Sequence, residues 1–275
     1  MMKYSKTDGF KNLLESQPQI LSIKENKLRN CNDEDFVTAD AYRKKDGTLS
    51  ASLFFVISGG TNRERDFFNE LERKDTFKSL KVIFMSSNKG EGGLTPRMMN
   101  NYLQTIRERG IIEYRGRNYE FQDIDGIYMV TDVDHYEEDL REILSSKTMT
   151  DARWIISNPD IEVWIYYCFR NNPHEELQEV IAAPQNTRSS LMKKINGRFN
   201  NGGGLDPRKA FVLIDSGIQN AKTWYEEDLV GFPSILSTQM WQLAEEIIRV
   251  LSDEFCKWRE ERARKIQAYI NETKE

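Results

Sequence analysis

Four short apolar runs between residues 53 and 156 alternate with amphipathic segments, and this alternation constrains the fold more than any other feature. The first run, Leu53-Phe54-Phe55-Val56-Ile57-Ser58, is closed by Gly59-Gly60. The second is Lys81-Val82-Ile83-Phe84-Met85. The third, Gly126 to Thr131, enters Asp132-Val133-Asp134, and the fourth, Trp154-Ile155-Ile156, enters Ser157-Asn158-Pro159. Continuous apolar runs of this length suit strands buried on both faces, as in parallel sheets. Helical periodicity over 62–73, 95–109, 136–146 and 161–169 supplies the covering layers. The expected architecture is α/β: a mostly parallel sheet with flanking helices over 51–172, a polar N-terminal appendage over 1–50, and a helical C-terminal region over 173–275. A charged helix is expected from about Thr238 onward.

Composition narrows the functional classes. No stretch approaches the ~20 apolar residues of a membrane helix, and the start of the chain lacks a secretory h-region. A cytoplasmic protein is the expectation. Cys31, Cys168 and Cys256 lie far apart, and with only His135 and His174 beside them a zinc site is not expected. A net charge of -5 argues against a surface that binds nucleic acid everywhere, so any such contact is local.

Three strand ends carry candidate chemistry. Sites in open α/β sheets form outside the carboxyl ends of the strands. In an extended chain Asp132 and Asp134 share one side, and paired carboxylates with phosphate oxygens suit Mg²⁺ or Mn²⁺. An Asp-rich loop capping the next helix gives the same pattern. In Ser157-Asn158-Pro159-Asp160-Ile161-Glu162, Ser157 or Asn158 caps a helix and Glu162 favours its positive end, which also sets Asn158 and Glu162 on the edge of the Asp pair. Gly59 and Gly60, followed by Arg63 and Glu64, allow a phosphate to approach backbone, although a tight turn explains two glycines as well. No Gly-Lys-Ser/Thr follows, which excludes a Walker loop.

Two segments are locally basic. One holds Lys89, Arg97, Arg107, Arg109, Arg115 and Arg117; the other holds Arg188, Lys193, Lys194, Arg198, Arg208 and Lys209. The second is the better candidate for a polyanion, because Asn200 to Gly204 would let it adapt. Solvated helix faces are the alternative.

The order of these motifs resembles the RloB-like family, a Toprim-fold group that includes the AbiLii abortive-infection proteins and is often encoded beside an AAA or ABC-type ATPase. Glu64, Phe67 and Phe68, then Asp132 and Asp134, then Ser157, Asn158, Pro159, Glu162 and Trp164 stand at the family's positions. The resemblance implies a metal-dependent nuclease in phage defence. Asp132 and Asp134 would hold Mg²⁺ or Mn²⁺, Glu162 or Glu64 would assist, and Asn158 would orient the Asp loop or substrate. Gly59, Gly60, Arg63, Lys193, Lys194 and Arg198 would face DNA or RNA, in a monomer or a homo-oligomer. The family carries Glu-Gly where this chain has Gly59-Gly60, so the first-strand carboxylate is missing. Either Glu64 or Glu162 substitutes, or the enzyme is slow, or the domain binds without cleaving.

Overall fold

A computed structural model describes residues 51–73, 76–87, 93–114, 117–120, 125–146 and 152–272. The expected appendage 1–50, Lys89 and Arg115 lie outside the described residues.

Strand β1 (Ser52–Ser58) leads into α1 (Arg63–Glu72), then β2 (Leu80–Met85) and α2 (Pro96–Arg109). A hairpin of β3 (Ile111–Tyr114) and β4 (Arg117–Glu120) intervenes before β5 (Gly126–Asp132), α3 (Glu137–Ser145) and β6 (Arg153–Ser157). The four main strands form one sheet in the order β2-β1-β5-β6, with every pairing parallel. β1 is central and buried along its whole length, as its unbroken apolar run requires.

Alternation along β1 divides the core in two. Phe54 and Val56 join Phe67, Phe68, Trp164 and Phe211 on one face; Leu53, Phe55 and Ile57 join Met99, Leu103, Leu140 and Ile143 on the other. The second face is covered by α2 and α3. α2 starts cleanly because the Thr95 side chain accepts from the Met98 N–H and Pro96 sits in the first turn. It stops at Gly110, whose φ of 67° places it in the left-handed region.

The first face is built by α4 (Glu162–Phe169) and the helical region. That region comprises α5 (Pro173–Glu176), α6 (Gln178–Ala182), α7 (Gln185–Arg198), α8 (Pro207–Ala210), α9 (Ile214–Thr223), α10 (Met240–Leu251) and α11 (Asp253–Glu272). α4 has no solvent stripe: every residue from Glu162 to Cys168 is buried. Helix α9 lies against it so closely at Gly217 that a Cβ would meet Cys168 Sγ at 2.7 Å. Met192, Ile214, Leu243 and Ile247 share one hydrophobic cluster with Phe54 and Val56, so the helical region completes the core of the sheet.

Two expectations change. The hairpin was not foreseen, because residues 113–120 are polar and carry no strand-like apolar alternation. The single C-terminal helix is two helices, broken at Ser252 with φ of 44°. The break lets Glu254 accept the Lys78 N–H at 2.7 Å and brings Phe255 edge-on to Phe211 at 5.5 Å. No helix among the described residues is long and apolar enough to cross a membrane.

Candidate functional site

The carboxyl ends of β1, β5 and β6 meet at one edge of the sheet. Asp132, the last residue of β5, is in register with Ser157, the last of β6. Beyond them the loops are laced together: Val133 N–H donates to Ser157 O at 3.0 Å and Asp134 N–H to Pro159 O at 3.1 Å. The chain leaves β conformation after Asp132, and Asp134 has φ of 30°. Alternation along an extended strand therefore does not carry past Asp132, and the two aspartates have different surroundings.

Asp132 faces Glu64 and Asp160. Burial, then the charges of Glu64 and Asp160, push its carboxyl well above the usual range, opposed by Lys193 and by a hydrogen bond from the Ile161 N–H. Part of its surface nevertheless stays open. Asp134 lies further out, accepting from Ser189 Oγ at 3.2 Å, with His135 Nε2 at 3.6 Å from the same oxygen.

Glu64 reaches the edge from the first turn of α1 and is 5% exposed. Its carboxylate occupies the space over Gly60, where an added Cβ would lie 1.9 Å from Oε1. At Gly59 a Cβ would come within 3.1 Å of Leu94 O, so backbone closes over the position where the first-strand glutamate was expected. Burial raises the Glu64 carboxyl; its own N–H and Lys193 oppose that, while Glu162 adds to it.

The segment after β6 supplies two more acids. Asp160 is 1% exposed and its Oδ1 accepts the Glu162 N–H at 3.2 Å. It is therefore Asp160, and not Ser157 or Asn158, whose side chain meets the start of α4. Burial chiefly pushes its carboxyl up to about 8, with Glu162 and Glu64 contributing and Lys193 opposing. Glu162 is fully buried, with Oε2 accepting from Asn196 Nδ2 at 3.0 Å and Arg63 Nε 3.0 Å from Oε1. The Arg63 contact has ion-pair distance without hydrogen-bond alignment, and Glu162 Oε1 has no hydrogen-bond donor.

Helix α7 lays a polar stripe across this edge. Ser189, Lys193 and Asn196 recur at helical spacing and meet Asp134, Asp160 and Glu162 respectively. Lys193 Nζ is 3.6 Å from Asp160 Oδ2. Desolvation opposes the Lys193 charge, but the fields of Asp160, Asp132, Glu162 and Asp134 outweigh it and raise its pKa. Sequence reasoning assigned Lys193 to a polyanion surface and passed over Asp160, Ser189 and Asn196. The i, i+4, i+7 spacing of 189, 193 and 196 was the available signal.

Other expected site residues fall elsewhere. Asn158 is 8% exposed, and its Nδ2 donates to Pro233 O at 2.9 Å. Its backbone pairs with Leu236 and Ser237, so it clamps the 233–238 segment and stands outside the carboxylate group. Lys194 is exposed, and Arg198 Nη1 is 3.7 Å from Glu179 Oε1. Arg208 pairs with Asp206 at 3.0 Å, which further divides the second basic segment. A groove of about 340 Å³ opens beside the acids between Arg63, Asp66, Asn196, Asp206 and Arg208, walled by Gly202 to Gly204. The N–H groups of Gly202, Gly203, Gly204 and Leu205 bond within the chain.

The all-oxygen donor set, with buried and undonated oxygens on Asp160 and Glu162, fits a hard divalent ion in chemistry. As the side chains stand, no group of three His, Cys, Asp or Glu among the described residues is placed to hold a metal.

A parallel α/β sheet with an acidic carboxyl edge, crossed by a basic residue from a helical region, defines the class of protein. The family model for RloB-like proteins matches residues 54–247, and the chain belongs to that family. No curated protein and no solved structure matches it significantly.

Proposed function

We propose that the chain is a Toprim-type, metal-dependent nuclease that hydrolyses phosphodiesters in DNA or RNA with Mg²⁺ or Mn²⁺. The observation that carries this reading is the convergence of Glu64, Asp132, Asp160 and Glu162 at the carboxyl edge of a parallel sheet. Asp132 and Asp134 would hold the ion. When bound, it supplies a Lewis acid for water and for the phosphate oxygens.

The remaining roles belong to the chain. Glu64, with its raised carboxyl and its place over Gly60, holds or accepts a proton at the edge. Glu162 fixes Arg63 beside the groove, where the guanidinium meets a phosphate. Action in phage defence beside an ATPase rests on family resemblance alone.

Purified protein incubated with DNA and with RNA, plus Mg²⁺ or Mn²⁺, should cleave at least one of them, and Asp132→Ala should abolish cleavage. Equal activity in both proteins sinks the proposal. One observation favours a second reading, a catalytically impaired effector subunit: the Lys193 ammonium already lies among the carboxylates. Nucleic-acid binding without cleavage in either metal would support that reading.

A further inference from the structure

Two deeply buried carboxylates in the cluster each have one oxygen without a hydrogen-bond donor: Asp160 Oδ2 and Glu162 Oε1, on residues 1% and 0% exposed. Their other oxygens are satisfied by the Glu162 N–H and by Asn196 Nδ2. Once ionised, a buried carboxylate oxygen without a donor is costly, and it then calls for a cation. For Asp160 Oδ2 the available cation is Lys193 Nζ, at 3.6 Å, beyond hydrogen-bond length.

The two partners differ in how firmly they are held. Asp160 is flanked by Pro159, whose carbonyl takes the Asp134 N–H at 3.1 Å, and by Ile161, whose N–H serves the Asp132 carboxylate. Backbone on both sides of Asp160 is thus tied to the two aspartates at the end of β5. The Lys193 side chain is 55% exposed and ends a flexible four-carbon stem, so its ammonium moves to water at little cost.

We propose that Asp160 is a third carboxylate of the divalent-cation site beside Asp132, and that Lys193 is the resident cation that gives way when the metal binds. The inference rests on reading this edge as a metal site and adds to it a ligand and a built-in competitor. The exchange replaces one positive charge by two and frees the Lys193 ammonium to move into water.

Mn²⁺ titration of the full chain, followed by the electron paramagnetic resonance signal of free Mn²⁺, tests the exchange without any cleavage assay. Asp160→Asn should weaken Mn²⁺ binding by about tenfold or more, on the scale seen when groups around a metal site are removed. Asn at this position keeps an acceptor for the Glu162 N–H. Lys193→Met alters a half-exposed side chain and should bind Mn²⁺ several-fold more tightly. The inference is overturned if Asp160→Asn, verified as folded by circular dichroism, binds like wild type, or if Lys193→Met binds no more tightly. If Asp160→Asn does not fold, the Lys193→Met result decides alone. Failure of the underlying reading looks different: wild type then binds no Mn²⁺, or binds it equally after Asp132→Ala.

Discussion

The carboxylate of Glu64 lies over Gly60 so closely that a Cβ on residue 60 would be 1.9 Å from Oε1 and 2.2 Å from Oε2. A helix residue thereby delivers an acid to the end of β1, where the strand runs out into two glycines. Gly60→Ala should displace Glu64 from the edge. The expected result is a loss of metal-dependent cleavage of about 10²-fold, the size typical of losing a positioned acid–base group. The urea midpoint should shift little, because α1 remains anchored by Phe67, Phe68 and Leu71. Unchanged cleavage in Gly60→Ala would mean that Glu64 has no part in the reaction.

Asp160 makes the metal-free protein sensitive to pH. Its carboxyl is raised from 3.8 to about 8 in the folded chain, chiefly by burial. A folded state that binds the proton more tightly than the unfolded chain is favoured at low pH. The contribution is full below 3.8 and fades as pH rises towards about 8. Thermal melts in chelator should therefore give a Tm that falls between pH 5 and 8 as this group contributes, and Asp160→Asn should flatten the profile. A wild-type Tm that rises across that window with the same slope as the variant would contradict this account.

Phe67 ties α1 to the helical region through edge-on contacts with Trp164 at 5.7 Å and Phe211 at 5.9 Å, and it is fully buried. Phe67→Ala should cost about 3–5 kcal/mol, as expected for deleting a large aromatic from a packed core. Because one cluster joins both regions, urea denaturation followed by far-ultraviolet circular dichroism and by Trp fluorescence should move together. Two separated transitions would show that residues 173–272 fold apart from the sheet.

The strands and most helices were legible because their periods are unambiguous. β1 is apolar without interruption, and α2 carries both a Thr95 cap and Pro96. Asp132 and Glu162 were legible as neighbours because the ends of parallel strands collect at one edge, whereas nothing in the sequence told whether Glu64 reaches that edge from α1. What the sequence hid were relations across long separations. Lys193 looked like part of a basic surface because Arg188, Lys194 and Arg198 surround it, and only the docking of α7 turns it towards Asp160. Asp160 was hidden behind Ser157 and Asn158, which the sequence offers as the helix cap; its Oδ1 takes the Glu162 N–H instead, while its second oxygen belongs to the cluster. Asn158 looked like a substrate contact because the segment it holds lies some 75 residues further along.

That last relation gives a prediction that separates structure from binding. Asn158 Nδ2 donates to Pro233 O, its N–H donates to Ser237 O, and its carbonyl accepts from Leu236 N–H. Beside it Ser157 Oγ and Thr238 Oγ1 share a buried hydrogen bond of 2.7 Å. Asn158→Ala removes the side-chain donor and leaves Pro233 O short of a partner in a buried place, at a cost of about 1–3 kcal/mol. Its backbone bonds survive the substitution, so the loops around Asp132 and Asp160 keep their lacing. The expected outcome is a lower urea midpoint with Mn²⁺ affinity within about twofold of wild type, since a clamp residue outside the carboxylates acts on stability. A tenfold loss of Mn²⁺ affinity at unchanged stability would instead place Asn158 in the site and reverse the assignment drawn from its hydrogen bonds.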